Sequence, residues 1–159
     1  MQVTASESRI SVLPHQHRFL SSTAREVIYS GAFGAGKSLA VCIRCAMRAS
    51  VPGAREGLCR KTVVALKRST LKTLLEGDGS KIGPILPRGT YEYRKIDGEI
   101  HLRGGGSIIL FGMDDPARIA SMTLSGCGVD EAVELHESDW TMLRGRIRMS
   151  LDGLPNQLY

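Results

Sequence analysis

The stretch GAFGAGKS, from Gly31 to Ser38, puts a lysine and a serine directly after a loop with almost no side chain. Its spacing is G-x-x-x-x-G-K-[ST], in which each residue type has a task at an anion. Gly31, Gly34 and Gly36 let the backbone wrap so that its N–H groups face phosphate oxygens. Ala32, Phe33 and Ala35 fill the rest of the loop. A helix starting at Lys37 aims the positive end of its dipole at the same point. The Lys37 ammonium suits the β- and γ-phosphates of a nucleotide, and the Ser38 hydroxyl suits Mg²⁺. The competing reading is a glycine-rich turn that ends in Gly-Lys-Ser by coincidence. A strand expected before the loop and a helix expected after it favour the phosphate-binding reading.

Holding a nucleotide is not hydrolysing it. Hydrolysis needs one carboxylate for the metal and a second to orient a water. GVDEA, about a hundred residues downstream, supplies both. Asp130 ends an expected strand and would hold Mg²⁺ through its waters. Glu131 would act on the attacking water as general base. Adjacent acids at a strand end mark nucleotide-binding proteins that hydrolyse ATP as motors, whereas kinases and small GTPases usually lack the second acid. The competing reading is a solvated acidic turn. The preceding run, LSGCGV, is poor in the large apolar residues that strands favour.

The elements that must position these residues read as follows. LPHQHRFLSS is a short helix opened by Pro14. EVIYS, Glu26 to Ser30, is a short strand leading into the loop. The helix from Lys37 to about Ser50 is apolar almost all round, interrupted by Arg44 and Arg48, so it is buried. EGLCR is a second strand, and a helix follows from about Val64 to Glu76. TYEYRKIDGEIHLRGGGSIILFGM is a three-stranded meander, with Asp97-Gly98 as a hairpin turn. MDDPARIASM turns into a helix or loop, LSGCGVDEA is a strand ending at Asp130, and Ser138 caps a helix to about Arg148. NQLY starts one more strand. The pattern is an α/β sandwich with a mostly parallel central sheet and an antiparallel insertion.

The 159 residues suffice for one domain with a core, and 42% of them are hydrophobic. No apolar run approaches the roughly 20 residues of a membrane span. The start, MQVTASESRI, has neither the basic nor the apolar region of a secretory signal, so the cytoplasm is the expected location. A net charge of +5 permits a polyanionic partner. Cys42 and Cys45 form C-x-x-C without a matching second pair, so they and Cys59 and Cys127 read as buried reduced thiols rather than a zinc site. The four histidines lack metal-ligand spacing. Lys61, Lys67, Arg68 and Lys72 read as a solvated face in preference to a DNA-tracking patch.

Together these residues resemble the ATPase domain of the large terminase subunit of tailed bacteriophages, the DNA-packaging motor. LPHQHRFLSSTAREVIYSGAFGAGKS is similar to that family's opening, in which a glutamine before the loop reads the adenine; Gln16 takes that place. LCRKT, FGMDDPARIASM, VDEAVEL and LRGRIR resemble the segments that follow, and the likeness covers nearly the whole chain. The resemblance implies a P-loop NTPase fold of the additional-strand, catalytic-glutamate type, with ATP and Mg²⁺ as cofactors. It implies double-stranded DNA as the moving substrate, a ring of subunits on the portal protein, a small terminase subunit as partner, and the cytoplasm of an infected bacterium as location. Residues 1–159 are then expected to be a single ATPase domain cut short at its carboxyl end, without the nuclease domain and with no membrane contact.

One departure bears on catalysis. Many members carry an arginine inside the glycine loop, where this chain has Phe33. Another arginine must then stabilise the transferred phosphoryl group. Arg118, in DDPARIAS, is the first candidate, acting on a neighbouring subunit's site; Arg144, Arg146 and Arg148 are alternatives. The competing reading has Arg118 pairing with Asp114 or Asp115 to hold a turn. Two other functions remain open: a different ring-type or helicase-like ATPase, and a nucleotide-binding assembly module that does not turn over.

Overall fold

The structure, a computed structural model, describes residues 10–77, 79 and 82–159. Helix α1 (Pro14–Ser21) begins at Pro14, and Gln16 reaches back to accept the Leu13 N–H at 2.9 Å. Helix α2 (Lys37–Ala49) follows the glycine loop. Strand β1 (Arg55–Arg60) precedes α3 (Val63–Arg68) and α4 (Thr70–Glu76). The meander is β2 (Tyr91–Arg94), β3 (Glu99–Leu102) and β4 (Ser107–Gly112). Then come α5 (Pro116–Ala120), β5 (Gly126–Val129), α6 (Glu137–Arg144) and β6 (Gln157–Leu158).

The six strands form one sheet in the order β2-β3-β4-β1-β5-β6. β4, β1, β5 and β6 are mutually parallel, and β3 and β2 extend the β4 edge antiparallel. The α/β sandwich with an antiparallel insertion is therefore as expected. Alternation along the strands feeds two cores, because successive side chains point to opposite faces. Leu58, Ile108 and Leu110 pack with α1, α2 and α4. Cys59, Ile109, Phe111 and Val129 pack on the other face with Ile119 of α5 and Leu143 of α6. Helices thus cover both faces of the sheet. All four cysteines are buried free thiols. Burial pushes Cys42 and Cys45 well up from the ordinary thiol range.

Three local expectations need correction. Glu26 to Ser30 does not form a strand: Glu26 makes a single parallel bridge to Leu158. Val27 N–H donates to Leu158 O at 3.0 Å and Leu158 N–H to Arg25 O at 2.9 Å. Among the described residues the pairing of this segment is confined to that bridge. This bridge nonetheless places β6 between β5 and the segment that leads into the glycine loop.

The helix expected from Val64 to Glu76 is broken at Ser69, whose backbone leaves the helical region at φ −127°, ψ −71°. The third correction concerns α6, which starts at Glu137 with His136 as its cap. His136 N–H donates to Asp139 Oδ2 at 3.0 Å. It ends at Arg144 because the next backbone groups pair elsewhere: Leu124 N–H donates to Arg146 O at 2.9 Å and Arg148 N–H to Leu124 O at 3.0 Å.

Strand β5 forms despite its small residues, and crowding explains them. A Cβ on Gly126 would lie 2.6 Å from both Arg48 Nη2 and Glu56 Oε2. That space belongs to a buried polar cluster. Arg48 Nε meets Glu56 Oε2 at 2.9 Å, with Arg48 6% and Glu56 0% exposed. Ser125 Oγ donates to Glu56 Oε1 at 2.7 Å, and Tyr159 OH donates to Oε2 at 2.9 Å. Gln157 Oε1 accepts from Arg44 at 2.8 Å and from Arg48 at 2.7 Å. The two arginines that interrupt the apolar helix therefore bind β6 to α2.

Removing one partner of such a pair strands the other charge. Glu56→Ala is expected to lower the unfolding free energy by about 3–5 kcal/mol. The exposed pair Arg94–Glu92, at 2.9 Å, gives the contrast. Glu92→Ala should leave stability almost unchanged, because water screens an exposed pair. Urea unfolding of both variants checks the difference.

Candidate functional site

The glycine loop crosses from the Glu26 bridge to α2. Gly34 and Gly36 have φ of +75° and +70°, in the left-handed region that glycine tolerates. Gly36 is the residue from which α2 starts, and its carbonyl accepts the Ala40 N–H at 2.9 Å. Tyr29 OH donates to Ala35 O at 3.1 Å and steadies the loop from the preceding segment. The Lys37 ammonium donates to Gly31 O at 2.9 Å and Ala32 O at 3.0 Å, folding the side chain back over the loop. Lysine has three donors, so one is left for an anion seated there. Phe33 is fully exposed, and its ring centre lies 5.8 Å from Lys37 Nζ.

Gln16 is buried directly beneath the loop. Its Nε2 lies 2.5 Å from where a Cβ on Gly36 would stand, so a larger residue at 36 displaces it. Sequence position 16 and the loop are thus brought together by α1.

The acids follow the carboxyl end of β5. Asp130 N–H donates to Cys59 O at 3.0 Å, which ties the residue to β1. Asp130 is 4% exposed, and its carboxylate accepts three hydrogen bonds. Oδ1 accepts from Ser38 Oγ at 3.0 Å and from the Glu131 N–H at 3.1 Å. Oδ2 accepts from Thr70 Oγ1 at 2.5 Å. Ser38 and Asp130, 92 residues apart, are therefore in contact. Glu131 has φ +53° and ψ +51°, the single non-glycine residue with positive φ among the described residues. Such backbone costs on the order of 1–3 kcal/mol and collects at functional sites.

The first part of the loop, Lys37 and the acids face one cleft of about 390 Å³, lined by Gly31, Lys37, Asp130, Glu131, Trp140 and Tyr159 among others, whereas Gln16, residues 34–36 and Ser38 do not line it. Ile28, Phe33 and Val133 stand exposed around it. A second hollow of about 410 Å³, by Arg25, Arg144 and Asn156, is lined by neither the loop nor Asp130 and Glu131.

The arginines are placed as follows. Arg118 does not line the cleft. Its Nη2 donates to Asp97 O at 2.5 Å, bracing the β2–β3 turn, while its own backbone N–H is capped by Asp115 Oδ1 at 3.1 Å. Asp114 is occupied with the Val63 N–H at 3.3 Å. The guanidinium thus holds a turn, but not through either acid expected. Arg144 pairs with Glu26 at 2.6 Å, and its guanidinium holds the Glu26 carboxyl below the usual range. Arg146 donates to Ala120 O at 2.6 Å, and Arg148 to Thr123 Oγ1 at 3.3 Å.

Two sets of contacts around the site were not read from the sequence. Arg60, ending β1, donates to Glu134 Oε1 and to Ser69 Oγ, both at 2.8 Å. Thr70 reaches Asp130 from the helix break. These contacts join distant positions or lie at an irregular backbone, so no local spacing signals them. Of the basic residues read as a solvated face, Lys67, Arg68 and Lys72 reach solvent, and Lys61 pairs with Asp139 at 2.9 Å.

No protein-family model matches the chain, and no curated protein sequence matches it. Solved structures do. The large terminase of a thermophilic bacteriophage, in complex with ATP-γ-S, superposes with a TM-score of 0.64 at 24% identity, over 91% of this chain and 36% of that one. A second crystal form of that terminase gives 0.67 at 22%, over 91% and 38%. Its ADP complex gives 0.66 at 22%, over 92% and 37%. The six-stranded mixed sheet and its flanking helices are thus the fold of a phage large terminase, matched over little more than a third of that protein's length.

Proposed function

We propose that the chain is an ATP-binding and ATP-hydrolysing domain of a phage large-terminase motor that drives double-stranded DNA into a procapsid. The observation that carries this reading is the contact of Ser38, from the glycine loop, with Asp130, from the end of β5, at 3.0 Å, with Glu131 next to them. A hydroxyl and a carboxylate fit Mg²⁺, which takes hard oxygen ligands and keeps most of its waters. No cluster of three or more His, Cys, Asp or Glu side chains suited to a metal occurs among the described residues, so phosphate and water would have to supply the other ligands. Ser38 and Asp130 would hold the ion, which when bound neutralises charge on the β- and γ-phosphates. The N–H groups from Gly31 to Ser38, through Ala32, Phe33, Gly34, Ala35 and Gly36, would take the phosphates. Lys37 adds the cation, and Gln16 would meet the adenine. Glu131 would accept a proton from the attacking water.

The fold shared with the thermophilic phage terminase, seen with ATP-γ-S and ADP, supports ATP as the nucleotide. The exposed apolar rim of Ile28, Phe33 and Val133 supports self-association into a ring, since grouped exposed apolar side chains mark interaction surfaces. Double-stranded DNA, a small terminase subunit and a portal protein are the partners this reading requires. Host cytoplasm is the location it requires; no described helix is long and apolar enough to cross a membrane.

Arg118 is proposed to act on a neighbouring subunit. It follows the carboxyl end of β4, and Asp130 follows that of the parallel strand β5, so both stand at the same end of the sheet.

Equilibrium binding of Mg–ATP to wild type and Lys37→Ala tests the reading. Hydrogen bonds to charged groups are worth about 1.5–3 kcal/mol, so the variant should bind about 10- to 150-fold more weakly. Equal binding would remove the loop from the site.

A further inference from the structure

We propose that Thr70 is a positioning residue for Asp130: its hydroxyl fixes the carboxylate so that Oδ1 is presented to the glycine loop. The assignment rests on the reading of Asp130 as a ligand of the nucleotide-bound Mg²⁺.

The two carboxylate oxygens have different partners. Oδ1 faces the loop, where Ser38 Oγ donates at 3.0 Å. The Glu131 N–H also donates to Oδ1, but from the adjacent peptide, which restrains one oxygen and leaves rotation about the carboxylate axis open. Oδ2 is held separately by Thr70 Oγ1 at 2.5 Å. A hydroxyl donating to an ionised carboxylate at this length is among the stronger hydrogen bonds. The Ser38 hydroxyl can offer a lone pair to a cation and still donate its proton to Oδ1. Thr70 is the side chain that holds the other oxygen and so fixes the rotation of the carboxylate.

Its placement is built by the fold. Thr70 is 0% exposed and opens α4 directly after the break at Ser69. A straight helix through this position is what the sequence suggests. The break is held by Arg60, whose Nη1 donates to Ser69 Oγ at 2.8 Å. Thr70 O in turn accepts from Cys42 Sγ at 3.5 Å, so α2, the helix that carries Lys37 and Ser38, touches the same residue. Leu71 and Leu74 anchor α4 in the core. The hydroxyl is therefore set between the two elements whose groups it must align.

A residue that only fills space would be replaceable by valine, which has the same shape without the donor. Outer partners of metal ligands typically contribute 10–100-fold to metal affinity. The test is binding of a fluorescent ATP analogue at increasing Mg²⁺ by wild type, Thr70→Val, Thr70→Ser and Asp130→Asn. Thr70→Val should raise the Mg²⁺ concentration at half-maximal binding about 10–100-fold. Thr70→Ser should restore it, and binding in EDTA should be the same for wild type and both Thr70 variants. An unshifted midpoint in Thr70→Val, or a Thr70→Ser variant as defective as Thr70→Val, overturns the assignment. Should Thr70→Val not fold, Thr70→Cys, a weak donor, takes its place with the same two outcomes. The Asp130→Asn arm separates the two readings. If its midpoint moves and that of Thr70→Val does not, Thr70 alone is refuted. If its midpoint stays at the wild-type value, the Asp130 reading falls and the Thr70 assignment with it.

Discussion

Glu131→Gln is expected to keep Mg–ATP bound and to slow turnover by about 10²–10⁴-fold, the usual contribution of a positioned general base. Glutamine fills the same space and leaves the backbone at φ +53° as it is, so the geometry of the turn survives. What disappears is a group that can take a proton from water. Asp130 keeps its three donors, because the Glu131 contribution to Oδ1 is a backbone N–H and not the side chain. Binding and turnover therefore separate in this variant, whereas Lys37→Ala weakens binding itself. Single-turnover phosphate release alongside equilibrium binding makes the comparison. Turnover equal to wild type would move the base to another residue.

Arg118→Ala is expected to leave ATP binding by the single chain unchanged and to abolish the rate gained on assembly. An arginine acting on the transferred phosphoryl group is worth about 10³–10⁵ in rate. Phe33 occupies the loop position where an arginine could otherwise act, and it cannot supply that charge. Arg118 stands at the end of the sheet that carries the acids, outside its own cleft, as a group serving a neighbour would. In the single chain its guanidinium is bound to the Asp97 carbonyl. Engagement by a neighbouring site would have to exchange that bond for one to the nucleotide. Mixing Arg118→Ala with Glu131→Gln subunits should restore partial activity, since some interfaces then join an intact base to an intact arginine. A full assembly-dependent rise in Arg118→Ala, with lowered thermal stability, would leave the residue as a brace of the β2–β3 turn. No rescue by the mixture after proven co-assembly would also remove the role in trans.

The loop and the acid pair were legible in the sequence because each is a local pattern whose chemistry depends on neighbours in the chain. Lys37 follows Gly36 and opens a helix, and Glu131 follows Asp130 at a strand end; both relations survive folding unchanged. The order of strands and helices along the chain likewise declared the sandwich. The features that were misread depend on distant partners. Glu26 to Ser30 has strand-forming residues, but its pairing partner is Leu158, more than a hundred positions away. The helix break at Ser69 follows from Arg60, and the early end of α6 from Leu124. The small residues of β5, which weakened its reading as a strand, are required by Arg48 and Glu56 pressing on Gly126. Helical spacing alone could not show what Arg44 and Arg48 bind, because their partner Gln157 is more than a hundred positions away.

Whether one site joins the glycine loop to Asp130 and Glu131 around a nucleotide is decided by a crystal structure of the chain with Mg²⁺ and a slowly hydrolysed ATP analogue. Phosphates are expected on the N–H groups from Gly31 to Ser38, the metal between Ser38 and Asp130, the adenine at Gln16, and Glu131 facing the γ-phosphate. A nucleotide bound elsewhere, such as the hollow by Arg25 and Arg144, with the glycine loop making no phosphate contact, would contradict it.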